Sequence, residues 1–105
     1  MSRDAVAERL GRNLWVARRR VGYSQTELGA LCSLHRTEIG LVEKGGRIPR
    51  ADTLVKLVRV LDVSADDLLA GIEWTIPAPT RPGGFAVEPP ATVAATPKVI
   101  PDALR

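Results

Sequence analysis

The single cysteine and single histidine of the chain, Cys32 and His35, lie three residues apart. A thiol near an imidazole could form a nucleophile–base pair or supply two ligands to a metal ion. One Cys and one His are too few for a closed zinc site within one chain, and a single Cys excludes an internal disulfide. No motif points to a nucleophile–base pair, a glycine-rich phosphate loop or a metal site. We therefore predict that the protein is not an enzyme and has no catalytic residues, no metal and no cofactor.

Four residues that could take part in chemistry have simpler explanations. Asp66 and Asp67 could form a carboxylate pair, but they are expected to be helix-start charges that the helix dipole favours. Trp15 lies beside an apolar stripe and is expected to pack rather than to stack on nucleotides. For Cys32, a small buried side chain at the end of a helix is favoured over a redox switch.

Basic side chains are concentrated in two places, although the net charge of the 105-residue chain is only +3. One is the run at residues 18–20, and the other contains Arg36, Lys44, Arg47 and Arg50. A solvated surface would explain either group. The alternative is an anionic partner such as nucleic acid.

The length favours a single domain, and proline divides it into two zones. Seven of the eight prolines lie after residue 76, where they disfavour helices and strand ladders. We expect a helical domain over residues 1–72 and a proline-rich extension over 73–105. Two apolar runs around a Pro/Gly turn predict a small hairpin at 74–87, or a strand exchanged between subunits, with disorder beyond 89. A wholly disordered tail is the alternative.

The N-terminus is charged and lacks the apolar core of a signal peptide. No stretch approaches the roughly 20 apolar residues that a membrane span needs. Together with the single cysteine, these features predict a soluble protein of the reducing cytosol, with no membrane partner.

Capping signals predict three short helices near 25–32, 36–44 and 65–70. Ser24 with Glu27 forms a capping box, and Ser64 with Asp67 resembles one. Apolar residues recurring every three or four positions predict two longer helices. One follows residues 6–21, and the other contains residues 54–61, with Pro49 before it and Asp62 after it. The expected fold class is therefore all-α, with five helices in about seventy residues.

The second and third helices are joined only by Ser33, Leu34 and His35. A connection that short forces a sharp angle between the helices, which is the helix-turn-helix arrangement. In that arrangement, the second helix of the pair can enter the major groove of DNA.

From Leu14 to Leu69, the sequence resembles the Cro and phage-repressor type of helix-turn-helix regulator, the Xre family. The resemblance rests on Ser24-Gln25 opening a helix, Leu28, the run from Ile39 to Glu43, the glycine at 45, Pro49 and the segment VSADDLL. It implies the compact five-helix fold of that family. It also implies that the fourth and fifth helices supply core and dimer contacts.

The resemblance further implies roles for individual residues. Gln25 would bind a DNA phosphate, and Arg18 would form a salt bridge with Glu43. Four residues would face the groove: His35, Arg36, Thr37 and Leu41. The loop at 44–50, with Lys44, Arg47 and Arg50, would contact the DNA backbone.

Helical geometry fits these roles independently. Residues 36, 37, 40 and 41 lie on one side of a helix, whereas Ile39 and Val42 lie on the other. The Arg36 guanidinium can bind guanine O6 and N7, and Leu41 can contact a thymine methyl group. The basic loop would add affinity and salt dependence without reading sequence.

The sequence departs from the family pattern at three positions. Ser33 stands where many members have glycine, and a left-handed conformation there would strain a serine. His35 replaces a Ser or Thr and is expected to be a poorer N-cap. Leu41 replaces a residue that is often polar.

These observations predict a sequence-specific regulator of the repressor type that binds a double-stranded DNA operator as a homodimer. Two alternatives remain open. One is a DNA-binding antitoxin whose tail binds a protein partner, and the other is a protein-interaction module that uses the same fold without DNA.

Overall fold

Five helices and one hairpin make up the computed structural model, which describes residues 3–88. The elements are α1 (Arg3–Val21), α2 (Gln25–Cys32), α3 (Arg36–Glu43), α4 (Ala51–Leu61), α5 (Ala65–Leu68), β1 (Ile72–Thr75) and β2 (Gly84–Val87). The predicted fold class, five helices followed by a hairpin, is confirmed. The helix α4 lies between Pro49 and Asp62, as predicted, and α5 ends two residues before the predicted end at 70. The prediction of disorder beyond 89 lies outside the described residues.

Reciprocal hydrogen bonds start two of the short helices, as their sequences predict. The Ser24 hydroxyl accepts from the Glu27 N–H (2.9 Å), and the Ser24 N–H donates to the Glu27 carboxylate (2.8 Å). These two bonds hold the pKa of Glu27 below its usual value. Ser64 and Asp67 form the same pair of bonds at the start of α5. Each box gives an acceptor to two backbone N–H groups that a short helix would otherwise leave to solvent.

The core takes at least one fully buried aliphatic side chain from every helix. Leu14, Leu28, Ile39, Leu57 and Leu68 are each at most 1% exposed. Burying one such side chain contributes about 1.5–3 kcal/mol to stability. Helices of eight residues or fewer are marginal in isolation, so this shared core is what maintains α2, α3 and α5.

Two glycines let the backbone around α3 pack closely. A Cβ atom added to Gly11 of α1 would lie 2.2 Å from the Val42 carbonyl oxygen of α3. A Cβ atom added to Gly29 of α2 would lie 2.7 Å from the Leu34 carbonyl oxygen, in the turn before α3. Both distances are too short for any side chain, so α1 and α2 approach α3 and its turn through bare backbone.

The hairpin pairs β1 with β2 in antiparallel register. Ile72 lies opposite Val87, and Trp74 lies opposite Phe85, with their rings in edge-on contact at 5.1 Å. The predicted hairpin at 74–87 is therefore present, with its first strand beginning two residues earlier. Ile72 packs against the helical core, whereas Trp74 is 56% exposed.

Two buried polar side chains of α1 hold the hairpin and the end of α5. The Asn13 amide donates to the carbonyl oxygens of Leu68 (2.8 Å) and Ala70 (2.9 Å). The Arg9 guanidinium donates to the Asn13 side-chain oxygen (3.2 Å) and to the carbonyl oxygen of Glu88. The hairpin is thus bonded to α1. The division of the chain into residues 1–72 and 73–105 stays a prediction.

Trp15 does not pack into the core as expected. Its side chain is 40% exposed, and its ring lies between the guanidinium groups of Arg12 (5.8 Å) and Arg19 (5.3 Å). All three residues lie on one side of α1, at positions i, i+3 and i+7. Two guanidinium groups are therefore within cation–π distance of this exposed indole.

Ser33 adopts the conformation that glycine would favour. It ends α2 with φ 57° and ψ 42°, in the left-handed region. This geometry lets the Leu34 N–H donate to the Gly29 carbonyl oxygen (2.8 Å) and turns the chain towards α3. The serine therefore carries a conformational cost of about 1–2 kcal/mol that glycine would not have.

We predict that Ser33→Gly stabilises the protein by about 0.5–1 kcal/mol. The relief of left-handed strain is partly offset by the greater backbone entropy of glycine in the unfolded chain. Urea unfolding followed by circular dichroism measures the change. The matched control is Ala30→Gly in the same helix, which should destabilise by about 1 kcal/mol. Equal destabilisation by both substitutions would show that residue 33 carries no strain.

Candidate nucleic-acid interface

The helix α3 has one buried and one open side. Ile39 and Val42 are each 1% exposed and face the core. Arg36 and Thr37 are exposed, and Leu41 is half-buried. The structure therefore separates the predicted groove-facing residues from the core-facing ones as helical geometry predicts.

His35 caps the start of α3 with its ring. It has extended backbone angles (φ −72°, ψ 147°), and its Nδ1 atom accepts a hydrogen bond from the Thr37 N–H (3.1 Å). The Thr37 hydroxyl oxygen lies 2.7 Å from the same nitrogen. His35 thus serves the N-cap role that Ser or Thr commonly fills. It also contacts Thr37, another of the predicted groove-facing residues.

Cys32 is a packing residue. It is 2% exposed and belongs to the core cluster. Burial raises the pKa of its thiol, an effect that the positive charge of Lys56 partly opposes. The thiol therefore stays protonated at neutral pH. Only the thiolate would be a good nucleophile or metal ligand. Within residues 3–88, no three His, Cys, Asp or Glu side chains are grouped so as to hold a metal ion.

A buried ion pair connects α1 to the end of α3. The Arg18 Nε atom donates to Glu43 Oε2 (2.5 Å), and Arg18 Nη2 donates to Glu43 Oε1 (3.0 Å). The side chains are 9% and 4% exposed. The third nitrogen of Arg18 donates to the Tyr23 carbonyl oxygen (2.8 Å), just before α2. Arg18 and Glu43 thus pair as the resemblance implies.

Gln25 extends this network to α2. Its side-chain amide donates to Glu43 Oε1 (3.0 Å), and its side chain lies against Gly40 of α3. Gln25, the residue predicted to bind a DNA phosphate, therefore has its Nε2 atom hydrogen-bonded within the protein. Its backbone N–H belongs to the first turn of α2, where N–H groups have no acceptor within the helix.

The predicted phosphate-binding residues after α3 differ in their environments. Lys44 is exposed at the C-cap of α3. Arg47 pairs with Glu38 of α3 (2.5 Å). Arg50 lies 3.5 Å from Asp52, but both side chains are largely exposed, so this pair contributes little to stability.

Two contacts of the site were not predicted from the sequence. They are the bond from Gln25 to Glu43 and the pairing of Arg47 with Glu38. Their partners are 18 and 9 residues apart, so neither pair has a helical spacing that the sequence would reveal. Glu38 also places one negative charge among the basic side chains at this end of the molecule.

Residues 16–68 match the model of the helix-turn-helix family HTH_3. The chain belongs to the HTH_3 helix-turn-helix family. The match contains all of α2 and α3 and extends into α5, which confirms the resemblance to regulators of the Cro and phage-repressor type. The chain is a DNA-binding transcription regulator of this family and not an enzyme.

Solved structures of regulators have the same fold. The restriction-modification controller protein C.AhdI from Aeromonas hydrophila is 32% identical, with a TM-score of 0.57, over 59% of this chain and 94% of its own. The P22 c2 repressor, solved with a synthetic operator, is 26% identical, with a TM-score of 0.56, over 59% and 94%. The hypothetical transcription factor NHTF from Neisseria is 29% identical, with a TM-score of 0.59, over 65% and 76%.

No curated protein sequence matches the chain. Among the described residues, no helix is both long and apolar enough to cross a membrane.

We predict that Arg18→Met destabilises the protein by about 3–5 kcal/mol. The substitution leaves the Glu43 carboxylate buried without its cationic partner. Urea unfolding measures the loss, with Arg19→Met as the matched control, because Arg19 is the exposed neighbour on the same helix. The double variant Arg18→Met/Glu43→Leu should recover part of the stability. Equal effects of Arg18→Met and Arg19→Met would contradict a structural role for the pair.

Proposed function

We propose that the protein is a sequence-specific repressor that binds a double-stranded DNA operator as a homodimer and inserts α3 into the major groove. The observation that carries this proposal is the open side of α3, which displays Arg36, Thr37 and Leu41 opposite the buried Ile39 and Val42. Regulation of transcription would place the protein in the cytoplasm with its DNA.

Sequence would be read by the open side of α3. Arg36 lies in the first turn, the part of a recognition helix that reaches base edges, and its fork matches guanine O6 and N7. Leu41 lies one turn further and suits the methyl group of thymine. Thr37 lies beside Arg36 with its hydroxyl held against His35.

Phosphates on either side of the groove would bind two other parts of the site. Lys44, Arg47 and Arg50 supply charge on one side, and Arg47 would exchange its Glu38 partner for a phosphate. On the other side, the first-turn N–H groups of α2 at Gln25 offer hydrogen-bond donors. Because these contacts release counterions, binding would weaken steeply as salt rises.

A homodimer would place two copies of α3 in half-sites about one turn of the DNA double helix apart, roughly 34 Å. The resemblance implies contacts through α4 and α5, and exposed apolar side chains are present there at Val55 and Leu69. Both the P22 c2 repressor, solved with an operator, and the controller C.AhdI have this fold, which supports a repressor.

A DNA-binding antitoxin is the second candidate. The observation that favours it is the exposed apolar surface of the hairpin, where Trp74 is 56% and Ile76 is 72% exposed. Such a surface suits a protein partner bound through the C-terminal extension. Affinity capture from the native host with the intact chain and with Trp74→Ser/Ile76→Ser tests this function. A toxin captured only by the intact chain would favour it.

We predict that Arg36→Ala costs about 1–3 kcal/mol of binding free energy and relaxes preference at one base pair, since it removes a base contact. Lys44→Ala should weaken binding to all DNA sequences similarly. It should also lower the slope of log affinity against log salt concentration by about 0.9. Fluorescence anisotropy on an operator selected from a random DNA pool, and on its single-base variants, measures both effects.

Arg81→Ala is the matched control for this pair of variants, because Arg81 is an exposed arginine of the hairpin loop. It should leave affinity and base preference unchanged. Identical base preferences for Arg36→Ala and Lys44→Ala would contradict the division between reading and positioning residues.

A further inference from the structure

We propose that His35 sets which bases Thr37 can read and that protonation of His35 relaxes that preference. In the neutral state, the Thr37 hydroxyl is only an acceptor towards DNA. In the protonated state, the same hydroxyl can also donate. This inference rests on the proposed insertion of α3 into the major groove.

The hydrogen bonds at the start of α3 determine the tautomer of His35. A backbone N–H can only donate, and the Thr37 N–H lies 3.1 Å from His35 Nδ1. The Nδ1 atom must therefore carry a lone pair, and the proton of the neutral ring must be on Nε2.

The same lone pair determines the direction of the Thr37 hydroxyl. The hydroxyl oxygen lies 2.7 Å from Nδ1, which is already an acceptor. The hydroxyl must donate its only hydrogen to the ring. What remains for a ligand is the lone pairs of the Thr37 oxygen.

An exposed oxygen that only accepts selects among base edges. In the major groove, the hydrogen-bond donors are the N6 amino group of adenine and the N4 amino group of cytosine. Phosphate oxygens only accept, so they cannot bond to Thr37 in this state. Neutral His35 therefore directs Thr37 to adenine or cytosine.

Protonation of His35 removes this restriction. A proton on Nδ1 excludes the backbone N–H of Thr37 and donates to the Thr37 oxygen instead. The hydroxyl hydrogen is then free to point outwards. Thr37 would then also be able to donate to N7 of adenine or guanine, to guanine O6, to thymine O4 or to a phosphate.

Among the described residues, charged groups near this turn lie on α3 and on α4, where Lys56 acts on the Cys32 thiol. Arg36 and Glu38 follow it on α3, and Glu38 is paired with Arg47. The last turn of α2, which packs on this turn through Gly29, bears no charged side chain, and its Cys32 is buried. His35 is the only histidine of the chain.

The first test needs no DNA. The nitrogen-15 and carbon-13 chemical shifts of the His35 ring report its tautomer in the free protein. At about pH 8, where imidazole is neutral, we expect the proton on Nε2. A ring with its proton on Nδ1 would overturn the inference, whether or not the protein binds DNA.

The second test selects operators from a random DNA pool at about pH 8 and at about pH 5, the limits of the range in which histidine titrates. At one position of each half-site, the wild type should favour adenine or cytosine at high pH and should accept guanine and thymine as well at low pH. The preference should change by about two- to tenfold, the effect of one hydrogen bond.

Two variants separate this effect from a general effect of pH. Thr37→Val keeps the side-chain shape without the hydroxyl, and His35→Ser keeps an N-cap that does not titrate in this range. Both should select the same base at the two pH values. A wild type that selects one base throughout, or a shift that persists in either variant, would overturn the inference. Failure to select any sequence at either pH would overturn the proposed function and this DNA preference together, while the ring tautomer would still be decided by the first test.

Discussion

The position of α3 depends on the buried ion pair between Arg18 and Glu43. Glu43 is the last residue of α3, and its carboxylate receives two bonds from Arg18 of α1 and one from Gln25 of α2. One carboxylate therefore connects three helices. Such a pair gains little net free energy because both charges lose water, but it is costly to break. Its main effect is to select one arrangement of α3 relative to α1 and α2.

The apolar core and the close backbone contacts act on the same helix. Ile39 and Val42 anchor the buried side of α3, and Gly11 lets α1 approach its last turn. At the other end, Gly29 and the left-handed Ser33 fix the turn that leads into it. The open side of α3 thus needs no stabilising role of its own, so its residue types are free to serve the proposed recognition of DNA. The absence of an apolar requirement there explains how Arg36 and Thr37 can occupy adjacent positions.

Local features of this fold could be predicted from the sequence, and contacts between distant residues could not. The capping boxes at Ser24 and Ser64 involve residues three apart, and the helices follow from the spacing of apolar residues. The bond between Gln25 and Glu43 and the attachment of the hairpin by Arg9 join residues 18 and 79 apart, which only the folded chain brings together. The guanidinium groups of Arg12 and Arg19 lie over the ring of Trp15, which stays partly exposed. His35 was expected to be a poorer N-cap than Ser or Thr, and its ring nitrogen accepts the capping bond from the Thr37 N–H.

The account is tested most directly by titrating the nitrogen-15-labelled full chain with its selected operator and following backbone amide resonances. It predicts that the largest changes occur at Gln25, at Arg36, Thr37 and Leu41 of α3, and at Lys44. Resonances of Trp74 and Phe85 on the hairpin should change little in comparison. Large changes centred on the hairpin, with α3 unaffected, would contradict the assignment of α3 as the DNA-reading helix.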